Sequence, residues 1–95
     1  MTVDEFKNST LEILESKNWP AHLSSLWYAG QGDWRTAHDL IDHLEDNKSC
    51  HVHAYLHRME GDQWNANYWY NRANQPVFKG SHDQEWIELV KLYID

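Results

Sequence analysis

Gly32-Asp33-Trp34-Arg35-Thr36-Ala37 and Gly61-Asp62-Gln63-Trp64-Asn65-Ala66 are one device written twice, 29 residues apart. In each, a Gly that can take left-handed backbone precedes an Asp whose carboxylate can cap a new helix, and a small Ala follows where two helices approach. The apolar residues on either side repeat with the same shift. Leu23, Leu26, Trp27 and Gly30 map onto Val52, Tyr55, Leu56 and Met59, and Ala37, Leu40, Ile41 and Leu44 map onto Ala66, Trp69, Tyr70 and Ala73. Spacing i, i+3, i+4, i+7 sets each quartet on one stripe of an α-helix. Such a period means a helical hairpin used twice, neither copy able to bury both its faces alone.

Outward from this pair, Trp86, Leu89, Val90 and Tyr93 form a further helical stripe, and Phe6, Thr10, Ile13 and Leu14 a looser one. Thr2 with Glu5 and Ser81 with Gln84 have capping-box spacing. Asp33, Ser49 and Asp62 stand at the other expected N-caps, with Pro20 suited to a first turn. No segment alternates with period two. The expectation is an all-α chain, one domain over 1–95, of six helices in antiparallel hairpins. A capping helix covers 1–17, the hairpins 20–46 and 49–74, and a second capping helix 81–95, the two caps closing the ends of the stack. Val77 and Phe78, in the Pro- and Gly-containing loop before Ser81, are expected to be pinned to the core.

Composition supports a small soluble fold. The chain has 95 residues, enough for one core. Its aliphatic content is low, but six Trp and five Tyr supply the missing apolar area, each large ring burying roughly 150 to 250 Å². Fifteen acidic against eight basic side chains give a net charge of −7, so nucleic acid is not expected as a partner. A single cysteine closes no intrachain disulfide. Acids occupy the first residues where a secretory leader carries Lys or Arg, and no apolar run approaches the roughly 20 residues of a membrane span. A cytoplasmic location without membrane contact is expected.

Residues 20 to 74 resemble the tetratricopeptide superfamily, especially its Sel1-like branch. Both Gly-Asp segments look like that family's turn, and Ala66-Asn67-Tyr68-Trp69-Tyr70-Asn71-Arg72-Ala73 is similar to the Sel1 pattern of Ala, two residues, Trp-Tyr, one residue, a basic residue and Ala. Tyr28 and Ala54 also fall where the family places an aromatic and a small residue. The string from His53 to Asp62, followed by Asn65-Ala66, also looks like a family of small bacterial proteins. The tetratricopeptide resemblance implies a right-handed stack of hairpins and a protein-binding adaptor, and the second likeness implies bacterial origin but no activity. It further implies a concave side lined by the first helix of each pair, which carries over to Trp19, His22 and Leu26 from one unit and Lys48, His51, Tyr55 and Arg58 from the next.

The spacing of Lys48, His51, Tyr55 and Arg58 makes a continuous strip flanking the core stripe. Two cations in an anionic chain favour an acidic peptide or a carboxylate there, with Arg58 able to bond in a bidentate way. The alternative is that Tyr55 is core and the two cations are solvated. A second function class, a metal- or small-ligand-binding protein, rests on the seven histidines or on a cleft of Trp and Tyr rings. Cys50, His53 and His57 share a helical face, and imidazoles at i, i+4 can both reach a metal ion. Ala54 stands where a metalloprotease helix needs its general base. The bland reading of the same histidines is hydrogen bonding to neighbouring helices. Glu85 and Glu88 lie on a face expected to be wet, and no nucleophile constellation or phosphate-binding loop is present, so neither an enzyme nor a cofactor is expected. Homodimerisation is a further expectation, since short repeat modules expose apolar ends.

Overall fold

Both Gly-Asp turns close a helical hairpin in the computed structural model, which describes residues 1–94. Among these residues there are seven helices and no strand: α1 (Val3–Lys7), α2 (Leu11–Lys17), α3 (Ala21–Gly30), α4 (Trp34–Ile41), α5 (Asn47–Met59), α6 (Gln63–Ala73) and α7 (His82–Tyr93). None is long and apolar enough to cross a membrane.

The two turns are near-copies. Gly32 sits at φ +85° and Gly61 at φ +89°, left-handed backbone that side chains with a Cβ rarely adopt. Asp33 and Asp62 follow at φ −100° and −99°, both with ψ 77°. Their carboxylates accept from the N–H of Thr36 and Asn65 at 3.1 and 3.2 Å, and their own N–H groups donate to Tyr28 and His57 carbonyls at 2.9 and 2.8 Å. Each turn thus satisfies orphan groups of the helix it ends and of the helix it starts.

α3 pairs with α4 and α5 with α6, and α5 packs against α3 and α4. The core runs between the hairpins through Leu26, Ala37, Ile41, Val52 and Leu56, all fully buried. A smaller cluster of Ala54, Ala66 and Tyr70 holds Val77 and Phe78 against the second hairpin, so the loop is pinned as its apolar pair suggests.

Three expectations are corrected. The N-terminal helix is two helices, which makes the total seven. Asn8-Ser9-Thr10 breaks it, because these side chains compete for backbone groups: the Ser9 hydroxyl donates to the Glu5 carbonyl at 2.8 Å, and Thr10 caps α2 by accepting from Ile13 N–H. Phe6 and Leu14 are buried as expected, whereas Thr10 and Ile13 are exposed. The second hairpin starts earlier, because Asp46 caps α5 and Ser49 supplies the N–H it binds; the first hairpin's helix ends at Ile41. Finally, α7 does not close an end of the stack. It lies across α3 and α5, with Trp86 Nε1–H donating to the Leu26 carbonyl at 2.8 Å. α1 packs beside it, Phe6 stacking on Trp19 at 5.0 Å and touching Trp86 at 6.0 Å.

Candidate functional site

α7 covers most of the strip assigned to a partner. Tyr55 is 3 % exposed and belongs to the core. His22 is buried, its ring edge-on to Tyr93 at 5.3 Å, and burial holds its pKa below the ordinary value. His51 shares a 2.8 Å hydrogen bond with the Tyr93 hydroxyl, and burial pushes its pKa down to about 4. Trp19 is half-buried on Phe6. Lys48 stays exposed, its ammonium 5.9 Å from the Tyr93 ring centre.

Arg58 is already engaged. Its Nη1 donates to Glu85 Oε1 at 3.0 Å, its Nη2 to the Gly80 carbonyl, and the guanidinium lies 5.4 Å from the Phe78 ring centre. Glu85 is 1 % exposed and also accepts from the Tyr70 hydroxyl. This clasp ties α7 to α5, α6 and the loop before α7. Burial raises the Glu85 pKa, opposed by Tyr70 and Arg58. The expectation of a wet Glu85 is therefore overturned; the signal was its i, i+4 relation to inward-facing Leu89.

Beside the clasp, the loop and α7 enclose a cleft of about 360 Å³. Pro76, Val77, Phe78, Leu89 and Leu92 give it apolar walls, and Lys79 and Glu88 bring charge to it. Leu92 is 58 % exposed. Of the predicted strip, only His51 reaches this cleft.

The second predicted constellation splits. Cys50 is fully buried, its thiol pKa raised by burial, and it takes no part in a cluster with His53 and His57. Its place is taken by His38, from α4. One ring nitrogen from each of His38, His53 and His57 lies within 4.8 Å of the others, and the Nε2 atoms of His38 and His53 are 3.2 Å apart. Tryptophans hold two of the rings: Trp34 stacks on His38 at 4.7 Å and 10°, Trp69 on His53 at 3.9 Å and 17°. Trp34 is itself anchored, its indole N–H donating to the Leu56 carbonyl at 2.7 Å. Carboxylates face the outer nitrogens. Glu60 Oε2 is 2.6 Å from His57 Nδ1, and Asp42 Oδ2 is 3.9 Å from His38 Nδ1. His53 is 3 % exposed, and its Nδ1 is buried without a hydrogen-bond partner. Burial first, then the neighbouring imidazoles, lower its pKa to about 3. His38 could not be found by spacing along one helix, because it arrives from the other hairpin.

No protein-family model, curated protein or solved structure matches the chain.

Proposed function

We propose that the chain is a non-enzymatic interaction module, built from two tetratricopeptide- or Sel1-like hairpins, that binds a short segment of a protein partner in the cleft between α7 and residues 75–79. The observation that carries this reading is the cleft itself: apolar walls from Val77, Phe78, Leu89 and Leu92 with a lysine, Lys79, among the lining residues. Exposed Leu92 is apolar surface that a partner side chain can cover. Among the described residues Lys79 is the cleft's one cation and can pair with an acidic residue beside that apolar anchor, Glu88 lining the same cleft with the opposite charge, and the net charge of −7 disfavours nucleic acid. The acidic-peptide preference thus moves from Arg58, whose charge Glu85 neutralises, to Lys79. Cytoplasmic location and bacterial origin belong to the same proposal, which assigns the module no cofactor of its own in peptide binding.

Selection of a random peptide display library against the purified chain tests it. The expected outcome is enriched peptides pairing a large apolar residue with Asp or Glu, whose binding falls at least ten-fold in Leu92→Asp and several-fold in Lys79→Glu. Absence of enrichment, or peptides bound equally well by Leu92→Asp, would overturn it. Concentration-dependent dimerisation lost in Leu92→Asp would instead assign the cleft and its rim to a second copy of the chain.

A further inference from the structure

We propose that His38, His53 and His57 bind one divalent ion of the zinc class, which staples the first hairpin to the second.

The ligand set is drawn from both repeats, His38 on α4 and His53 and His57 one turn apart on α5. Neutral imidazole nitrogens suit zinc and its first-row neighbours. With metal–nitrogen bonds of about 2.0 to 2.1 Å, two ligand nitrogens on a tetrahedral ion stand about 3.3 Å apart. His38 Nε2 and His53 Nε2 already lie 3.2 Å apart. The widest spacing within the trio is at most 4.8 Å, so His57 reaches the same ion through a side-chain rotation that moves its nitrogen by about 1.5 Å or less. The His38 and His57 side chains are 21 % and 12 % exposed, which gives the ion a way in.

The partners of the outer nitrogens set the tautomers of His57 and His38 so that their inner nitrogens keep lone pairs for a Lewis acid. Glu60 accepts from His57 Nδ1, which must carry the proton, leaving Nε2 with its lone pair. Asp42 and Asp39, near His38 Nδ1 at 3.9 and 4.0 Å, favour the same tautomer there. Without an ion His53 donates from Nε2 to His38; with one its proton sits on the buried Nδ1, which has no partner in either state, so the gain lies at the three converging nitrogens. A cation at the centre takes the Nε2 lone pairs of all three rings. The carboxylates then stand in the outer positions that orient metal-bound histidines and raise their basicity. Trp34 and Trp69 fix two ring planes in advance, and the acidic side chains Asp39, Asp42 and Glu60 make the surroundings attractive to a cation. Three protein ligands leave a fourth tetrahedral position for water.

Co(II), which takes zinc sites and reports their geometry in its visible spectrum, is the probe. Titration of the chelator-treated 95-residue chain should give the d–d absorption of tetrahedral cobalt, saturating at one equivalent and abolished by stoichiometric Zn(II). His38→Ala and His57→Ala, both at the cluster's more exposed edge, should lose this spectrum while keeping wild-type far-ultraviolet circular dichroism. His82→Ala, on exposed α7 surface, should keep it. No tetrahedral spectrum in the wild type, or one that survives intact in a folded His57→Ala, would overturn the proposal. Should both edge variants unfold, histidine side-chain nitrogen shifts in the wild type decide: three rings shifted by Zn(II) support it, and fewer contradict it.

Discussion

α5 presents two polar clusters on different faces, and they are built on opposite principles. On one face, Arg58 donates to Glu85 and the Gly80 carbonyl while the Tyr70 hydroxyl donates to Glu85, so the buried carboxylate has donors on both oxygens and the guanidinium has acceptors for two of its nitrogens. On the other, three imidazoles turn toward one another, and His53 Nδ1 has no partner at all. Low-dielectric surroundings make a satisfied network hold firmly and an unsatisfied one costly. The first cluster is complete within the chain and holds α7 down; the second leaves one nitrogen from each of three imidazoles converging on the others.

The largest effect should come from breaking the complete cluster. Glu85→Ala leaves Arg58 uncompensated beneath α7 and should cost about 3 to 5 kcal/mol, read from the urea unfolding midpoint, with Glu85→Gln costing less because an acceptor for Tyr70 remains. A loss below 1 kcal/mol in Glu85→Ala would show that the clasp does not hold α7.

Packing beside that clasp supplies the next test. A Cβ added at Gly30 would lie 2.7 Å from Trp86 Cζ2, so Gly30→Ala should lose about 1 to 3 kcal/mol by overpacking. A variant as stable as wild type would mean that α7 can shift off α3.

Sequence patterning made the hairpins and their turns legible, because Gly32 and Gly61 need left-handed backbone and Asp33 and Asp62 need only their own first turns. The position of α7 was not legible. Its apolar stripe says that it packs, but whether it closes an end or crosses α3 and α5 depends on Trp86 finding the Leu26 carbonyl 60 residues earlier. That placement is also why Tyr55 and His22, sensible groove residues by spacing, are buried. His53 and His57 were readable as a pair on one helix. His38 was not, since a cross-hairpin approach has no local signature, and Cys50, the third residue expected beside them, lies outside the cluster.

Acid should act on the second face and on His51. Both His51 and His53 titrate well below the usual histidine value when folded, at about 4 and about 3. The unfolded chain therefore binds protons that the folded chain refuses as pH falls below about 6.5, and stability drops by up to about 1.4 kcal/mol per pH unit for each residue until the folded pKa is reached. Above pH 7.5 neither histidine contributes a pH dependence. Melting curves from pH 7.5 to 5 should show the fall, and His51→Phe should flatten it; an unchanged slope in that variant would place the proton uptake elsewhere.

The smallest effect should come from His53→Leu without metal. It forfeits one imidazole–imidazole hydrogen bond but also removes the orphaned Nδ1, so stability should stay within about 1 kcal/mol of wild type. A loss above about 3 kcal/mol would make this cluster structural in the same sense as the clasp, erasing the difference between the two faces of α5.

Thermal unfolding with and without Zn(II) tests the distinction most directly. At free zinc a hundred-fold above its dissociation constant, a site present only in the folded chain adds about 2.7 kcal/mol, which for a domain of this size raises Tm by roughly 10 °C or more. The account predicts that rise in the wild type and in Glu85→Gln, and its loss in His57→Ala. Equal melting temperatures with zinc and with chelator would contradict it.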